Sequence, residues 1–184
     1  MSEELIRSFI CLEVPSEVVK EVARIQEILS NKPFQGKITG LENLHLTLKF
    51  LGEISEKKVE EVKEELKKIS FSSFEAKILE TGIFSFRGNP KIVWIKVGGK
   101  EIFDLQRKID EAMLKIGFKL EERFMSHMTI ARIKHVKDKK AFREYVENIK
   151  TKKISWKVNE FFLKKSELKE SGPVYTNLEK FSST

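Results

Sequence analysis

The stretch from His45 to Leu48 reads HLTL, and the stretch from His127 to Ile130 reads HMTI. Each stretch alternates a polar with an apolar residue, and this period of two is typical of a half-buried β-strand. Residues i and i+2 of a strand project to the same face, so each histidine shares a face with its threonine. The sequence therefore predicts two strands that each present an imidazole beside a hydroxyl.

The recurrence of the pattern carries more weight than either copy. The chain has three histidines, and two of them lie in this setting. Chance would place two of three histidines so in roughly one of ten thousand chains of this composition. The structural alternative is a pair of core histidines, each hydrogen-bonded to a neighbour, with no role in catalysis. The exposure of the two rings decides between these interpretations.

Bulk properties narrow the class of protein. The 184 residues are 40% hydrophobic and 34% charged, which suits one substantial core. The formal net charge of +7 favours polyanionic partners, including nucleic acid. The stretch from Met1 to Arg7 lacks the apolar segment of a signal peptide, and no apolar run is long enough to span a membrane. With a single cysteine, Cys11, we expect a cytoplasmic protein.

Hydrophobic periodicity along the chain predicts the element order β-α-β-α-β-β-α-β-α-β-β. Ser16 and Ser55 are candidate N-caps of the first two helices, and Gly117 is a candidate residue just after the third helix. Residues 31–40, with a proline and two glycines, are expected to form a loop. Residues 153–163 are expected to form one strand.

The two histidine motifs are far apart in the chain, and no low-complexity linker separates them. This arrangement predicts a fold of two similar halves, each contributing one motif strand. Helices with one apolar stripe, packed on sheets with one apolar face, make an α+β fold. We therefore expect residues 1–184 to form a single domain with two lobes.

Two imidazoles and two hydroxyls suit metal-free phosphoryl transfer. Histidine titrates near ~6.5, so one ring can donate a proton while the other accepts one. The chain has no Cys/His zinc cluster, no HExxH, no Walker loop and no Gly-x-Ser-x-Gly elbow. One metal ligand per strand is too few for a stable metal site. We therefore expect His45, Thr47, His127 and Thr129 to form a catalytic site without metal or cofactor.

The motifs and their surroundings resemble the 2′-5′ RNA ligase family, which is the RNA 2′,3′-cyclic phosphodiesterase family of the two-histidine phosphoesterase superfamily. The resemblance covers nearly the whole chain. It is carried by RSFICLEVP from Arg7 to Pro15, HLTLKFLGE from His45 to Glu53, and HMTIAR from His127 to Arg132. One departure is Ser126, where the family often has proline before the second histidine.

The resemblance implies a bilobal fold, with two pseudo-symmetric lobes of antiparallel-rich sheet and outer helices around a central cleft. It implies hydrolysis of an RNA 2′,3′-cyclic phosphate end to a 2′-phosphate, a step of RNA processing that could act on tRNA halves. By carry-over, His45 is the proton donor to the departing 3′-oxygen and His127 the proton acceptor from water. Thr47 and Thr129 hold the non-bridging oxygens. A ribose 5′-hydroxyl in place of water turns the same site into a 2′-5′ ligase.

Three more residues are candidates for substrate binding. Arg132 lies five residues after His127, where an arginine of the family contacts substrate, but strict alternation puts it on the opposite face unless a bulge turns it. Phe50 lies five residues after His45 and could stack on a base. Lys49 shares the parity of His45 and could add positive charge to the cleft. The alternatives are an exposed strand-end arginine, a core phenylalanine and a solvated lysine.

Two other functions use the same residues. One is hydrolysis of a cyclic phosphate on a small nucleotide or an ADP-ribose derivative, and the other is binding of RNA ends without catalysis. The net charge favours a polymer, and the two intact motifs favour catalysis. The expected partner is RNA with a 2′,3′-cyclic phosphate end, bound by a monomer that needs no membrane or metal.

Overall fold

The computed structural model describes residues 4–184. Met1 to Glu3, at the start of the stretch judged to lack a signal peptide, lie outside the described residues. The strands are β1 (Leu5–Glu13), β2 (Gln35–Ile38), β3 (His45–Ser55), β4 (Phe74–Phe86), β5 (Asn89–Gly98), β6 (His127–His135), β7 (Ser155–Val158), β8 (Glu160–Lys169) and β9 (Gly172–Ser182). The helices are α1 (Ser16–Ser30), α2 (Glu56–Lys67), α3 (Lys100–Lys115) and α4 (Lys139–Glu147), with a 3-10 turn at Leu41–Asn43.

The strands of residues 4–184 belong to one sheet with the order β7-β4-β5-β6-β3-β1-β8-β9, and β2 pairs with β6 beyond the end of β3. Each of these pairings is antiparallel. The two motif strands, β3 and β6, are neighbours at the centre and meet at the register pair of Leu46 with Met128. The sheet therefore has two four-stranded lobes, each with a motif strand at its inner edge.

The lobes are built by exchange of strands between two chain repeats. The order β1-α1-β3-α2-β4 recurs as β5-α3-β6-α4-β8, and the short strands β2 and β7 and the last strand β9 lie outside this repeat. In space, β8 of the second repeat lies beside β1, and β4 of the first repeat lies beside β5. The expected halves exist in the sequence, but each lobe takes its third strand from the other half.

The helices cover one face of the sheet. Residues from all four helices join a single hydrophobic cluster with the apolar residues of both motifs, Leu46, Leu48, Met128 and Ile130. We call this the helix-covered face, and the opposite face, which carries the histidines and threonines of the motifs, the histidine face. The expected α+β fold with an antiparallel sheet and outer helices is confirmed. We propose that the chain forms one two-lobed domain, which the single sheet supports.

Two of the three residues predicted to end or cap helices do so in the structure. Ser55 caps α2 as expected, because its hydroxyl accepts a hydrogen bond from Lys58 N at 3.2 Å. Gly117 follows the end of α3 with a φ of 98°, as expected for a residue that needs a left-handed conformation. The expected N-cap role of Ser16 is wrong, since Pro15 occupies that position and none of the described residues caps α1 with its side chain.

Two elements differ from expectation because distant strands decide them. The expected loop 31–40 contains β2, which pairs with β6. Gly36 permits this approach, because a Cβ there would lie 2.1 Å from the carbonyl oxygen of Arg132. Residues 153–163, expected as one strand, divide into β7 and the start of β8. These two strands pair in different lobes, β7 with β4 and β8 with β1.

A β-bulge interrupts each motif strand at the same place. Leu48 is an extra residue of β3 relative to β1, and Ile130 is an extra residue of β6 relative to β5. Each bulge lies three residues after the histidine and reverses the alternation that follows it. Phe50 and Arg132 are therefore turned to the histidine face, and Lys49 is turned away from it.

The expected contribution of Lys49 to the cleft is wrong. The bulge directs its side chain to the helix-covered face, where it is 5% exposed and forms a salt bridge with Asp110 of α3. Lys49 Nζ also donates to the carbonyl of Lys119 at 2.7 Å, and Glu121 N donates to Asp110 at 2.7 Å. The pair thus ties β3 and α3 to the loop that leads to β6.

Removal of one partner of this buried pair should destabilise the protein. We expect Asp110→Ala to lower the free energy of unfolding by roughly 3–5 kcal/mol, because the Lys49 ammonium would stay buried without a counterion. Replacing both partners, Lys49→Met with Asp110→Leu, should restore most of this loss. Urea unfolding measures both changes, and Glu64→Ala, which removes an exposed partner of Lys67, is the control with little effect. A loss in the double variant as large as in Asp110→Ala would contradict this account.

Candidate active site

The central strand pair brings the two motifs together. With Leu46 opposite Met128, the antiparallel register places His45 opposite Thr129 and Thr47 opposite His127. Directly opposed residues have Cβ atoms about 4.5–5.5 Å apart. The two histidines and two threonines therefore form one group on the histidine face.

Both histidine rings are half-buried and lie outside the hydrophobic cluster that the helices cover. The alternative of two core histidines does not fit this placement. The strand residues between the motif positions, Leu46 and Met128, have no solvent exposure. The alternation expected from the sequence thus separates a half-exposed polar row from a fully buried apolar row.

The two imidazoles are held in the same way. His45 Nδ1 lies 2.7 Å from the carbonyl oxygen of Asn43, and His127 Nδ1 lies 2.7 Å from that of Met125. A carbonyl oxygen only accepts, so each Nδ1 carries the hydrogen and donates it. Each Nε2 is then the atom that exchanges a proton with a ligand.

One further hydrogen bond distinguishes the two motifs. His45 Nε2 lies 2.9 Å from Thr47 Oγ1. With its hydrogen on Nδ1, the neutral ring accepts this bond from the threonine hydroxyl. Within residues 4–184, His127 Nε2 makes no hydrogen bond of this kind. A ligand reaches His127 Nε2 without displacing a hydroxyl.

Aromatic rings pack against both histidines. Phe9 and Tyr175 lie 4.9 and 5.3 Å from the His45 ring, centre to centre, and the tyrosine meets it edge-on. Phe84 lies 5.0 Å from the His127 ring, also edge-on. The rings on β1, β9 and β4 therefore limit the orientations of the imidazoles and shield them from water in part.

Burial is the main influence on the charge state of both histidines. It lowers the pKa of His45 to about 4, and the positive charges of Lys164, Arg132 and His127 act in the same direction. The hydrogen bond to the Asn43 carbonyl opposes this shift. Burial also lowers the pKa of His127 below its ordinary value of 6.5. In the free protein both rings are therefore neutral at pH 7.

The structure places the two remaining candidates on the histidine face. Phe50 is 65% exposed, which excludes a core phenylalanine, and its ring lies 6.2 Å from Phe9. Arg132 is exposed, and its charge acts on His45 and Tyr175 across the junction of the lobes. The bulge that Arg132 required is present, so strict alternation does not hold in β6.

Sequence reasoning missed several residues around the histidines. Phe9, Phe84, Tyr175 and Lys164 come from four strands outside the two motifs. Lys164 forms an ion pair with Glu13 at 2.6 Å, and its charge lowers the pKa of His45 more than any other charged group does. The alternation of β1 could have placed Phe9 on one face, but no local signal shows that β8 lies beside it.

Within residues 4–184, no group of three or more His, Cys, Asp or Glu side chains is arranged to hold a metal ion. In the same range, none of the four helices combines the length and apolar character needed to cross a bilayer.

The lowered pKa of His45 makes stability depend on pH. Between pH 6.5 and about 4 the unfolded chain binds a proton at this residue and the folded chain does not, so folding stability falls as the pH falls. We expect His45→Asn, which keeps a donor for the Asn43 carbonyl, to lose less stability than the wild type over this window. Urea unfolding at pH 7, 5.5 and 4.5 measures the difference, with His135→Asn, at the exposed end of β6, as the control. Equal pH dependence in the wild type and His45→Asn would contradict the shift.

Comparison with known proteins divides the chain into two segments, as the two histidine motifs do. A family model described as LigT like Phosphoesterase matches residues 12–94 and 96–175. Each of these segments contains one histidine motif. The match covers most of the chain and both halves of the site.

Relatives match along nearly the whole length. An RNA 2′,3′-cyclic phosphodiesterase of Methanothermobacter thermautotrophicus is 32% identical over 180 residues, 96% of this chain and 98% of the relative. A protein of the same name from Thermotoga maritima is 33% identical over 173 residues, 92% of this chain and 91% of the relative. The crystal structure of TT0787 of Thermus thermophilus has a TM-score of 0.80 at 26% identity, and the match covers 96% of this chain and 97% of that one. The chain therefore belongs to the LigT-like phosphoesterase family.

Proposed function

We propose that this protein hydrolyses the 2′,3′-cyclic phosphate at an RNA end and leaves a 2′-phosphate. The observation that carries the proposal is the pairing of His45 and His127 across one strand junction, each with Nδ1 bonded to a carbonyl so that Nε2 is the atom available for proton transfer, once the Thr47 hydroxyl leaves His45 Nε2 for the substrate. The relatives named RNA 2′,3′-cyclic phosphodiesterase, about a third identical over almost the full length, support the choice of substrate.

The reaction needs one proton donor and one proton acceptor on opposite sides of the phosphorus. In the proposed mechanism, His127 Nε2 takes a proton from water as the water oxygen bonds to phosphorus. His45 Nε2 gives a proton to the ribose 3′-oxygen as its bond to phosphorus breaks. Thr47 and Thr129 donate hydrogen bonds to the non-bridging oxygens. The 2′-oxygen keeps the phosphate, and a ribose 5′-hydroxyl in place of water gives a 2′-5′ linkage.

The negative charge of the substrate would favour protonation of His45, which is disfavoured in the free site. The general acid must be protonated, but burial and the cations Lys164 and Arg132 lower the pKa of His45. A phosphodiester anion between the rings would offset those cations and raise this pKa. Substrate binding would therefore be coupled to uptake of the proton that is later given to the leaving group.

The proposal also covers how the substrate is bound and where in the cell the protein acts. Phe50 would stack on a base of the substrate, and Arg132 would bind a phosphate oxygen. A monomer suffices, because one chain supplies both motifs. We also propose a cytoplasmic location, in keeping with the buried single thiol of Cys11, and RNA fragments such as tRNA halves as substrates that carry the required end.

The deciding experiment maps the product. An RNA with a 2′,3′-cyclic phosphate end is incubated with the protein in excess EDTA, and the position of the phosphate on the terminal ribose is determined. We expect a 2′-phosphate, formed at an undiminished rate, since the proposed steps use only imidazole and hydroxyl groups. A 3′-phosphate product would reverse the assignment of the leaving oxygen. Binding of the RNA without any product at high protein concentration would favour an RNA-end binder.

Removal of either histidine should abolish most of the activity. We expect His45→Ala and His127→Ala each to lower kcat by roughly 10²-fold or more, the usual scale for a positioned acid or base. Retention of the wild-type rate in His127→Ala would place the base elsewhere. His135→Ala is the matched control and should retain the wild-type rate, because His135 lies at the exposed end of β6.

The dependence of rate on pH should be bell-shaped, with one histidine protonated and the other neutral at the maximum. Both pKa values are lowered in the free protein, so the maximum of kcat/KM should lie below pH 6.5. The maximum of kcat should lie at higher pH, because bound substrate raises the pKa of His45. Steady-state rates between pH 4 and 9 measure both curves, and a flat profile would contradict the two-histidine mechanism.

A further inference from the structure

The hairpin between β4 and β5 ends in an exposed aromatic ring and an arginine. Phe86 is 62% exposed, and the guanidinium carbon of Arg87 lies 5.2 Å from the centre of its ring. Arg87 has a φ of 49°, a left-handed conformation that is uncommon outside glycine. The hairpin tip therefore presents a flat apolar surface together with a cation.

Phe86 lies on the histidine face of the sheet. Phe84, two residues earlier, meets the ring of His127 edge-on. Ser85, between the two phenylalanines, accepts a hydrogen bond from Arg143 of α4 at 2.6 Å and so points to the helix-covered face. Because side chains of a strand alternate, Phe86 points the same way as Phe84, about 6.6 Å further along β4.

Basic side chains lie between the site and this tip. Lys37 of β2 pairs with Arg132 of β6, which pairs in turn with Ile92 of β5 and through it with Phe84. Lys134 is an extra residue of β6 relative to β2. It is exposed while its neighbour Ile133 is buried against the helices, which places Lys134 on the same face as Arg132. The strip from β2 to the hairpin tip thus holds four exposed cations, Lys37, Arg132, Lys134 and Arg87.

The opposite lobe lacks this excess of positive charge. There Lys164 is bound to Glu13 at 2.6 Å. Arg7 lies opposite Glu53 in the pairing of β1 with β3 but forms no ion pair with it, so this single cation stands against the four of the strip. The four cations of the strip have no carboxylate partner within residues 4–184. Uncompensated positive charge on the histidine face is therefore concentrated on the side of His127.

We propose that this strip binds the RNA strand upstream of the terminal ribose, with a nucleobase stacked on Phe86 and phosphates bound by the four cations. Stacking on an exposed ring accepts any base, and clustered cations attract the backbone. The inference rests on the proposed hydrolysis of RNA ends and adds the surface that distinguishes a polymer from a single nucleotide. A chain with a net charge of +7 is suited to such a strand.

The test compares two substrates, adenosine 2′,3′-cyclic phosphate and a five-nucleotide oligoadenylate with the same end. Phe86→Ala should raise KM for the oligonucleotide about fivefold or more, because stacking on the ring is lost. Its KM for the mononucleotide, which does not reach the hairpin tip, should stay the same. The control is Phe103→Ala on α3, a phenylalanine that is 47% exposed, and it should change neither KM.

Arg87→Asn tests the electrostatic part. Asparagine tolerates a left-handed conformation, so the turn is retained while the cation is lost. We expect a higher KM for the oligonucleotide. The slope of log KM against log salt concentration should fall by about one, which corresponds to the loss of one phosphate contact. The mononucleotide again serves as the internal control for the reaction itself.

The outcomes separate this inference from the proposed function. If the KM for the oligonucleotide is unchanged in both tip variants, the strip does not bind RNA, and the proposed hydrolysis is unaffected. The same conclusion follows if KM rises equally for the oligonucleotide and the mononucleotide. If the wild type hydrolyses neither substrate, the proposed function fails. Fluorescence anisotropy of a labelled oligoadenylate then tests RNA binding by the strip independently of catalysis. Weaker binding by Phe86→Ala than by Phe103→Ala supports it, and equal binding overturns it.

Discussion

The contact of Leu46 with Met128 is the constraint on which the site depends. It is the register pair that joins β3 to β6, and it sets each histidine opposite the threonine of the other motif. A slip of one residue would turn the polar rows into the core and the apolar rows to solvent. Because the apolar rows are fully buried beneath the helices, the hydrophobic effect that stabilises the fold also fixes the register of the polar groups.

The two lobes share a backbone plan and differ in chemistry. Both motif strands contain a bulge three residues after the histidine. The next position is Lys49 in one strand, paired with Asp110, and Ala131 in the other, fully buried. The residue after that is Phe50 in one lobe and Arg132 in the other. Pseudo-symmetry therefore repeats the geometry of the proton-transfer groups, while the flanking surface is aromatic on one side and basic on the other.

Charged neighbours make the proton affinities of the two histidines unequal. The cations Lys164 and Arg132 come from different lobes, and both oppose protonation of His45. His127 experiences burial and the bond to the Met125 carbonyl as its main influences. An anion that enters between the rings would alter His45 more than His127, since the cations that it offsets act on His45. Identical motifs thus acquire unequal proton affinities from side chains outside the motifs.

Local patterns of residues are enough to predict the class of fold, the two motif strands and the faces of His45, Thr47, His127 and Thr129, because alternation and periodicity are local properties of the chain. The folded chain was needed to show that β3 and β6 are neighbours, that residues 153–163 divide between two lobes, and that Lys49 is buried with Asp110. A bulge depends on the partner strand, and an ion pair depends on a helix about sixty residues away in the chain. Such features follow from packing between distant segments, which no local pattern of residues encodes.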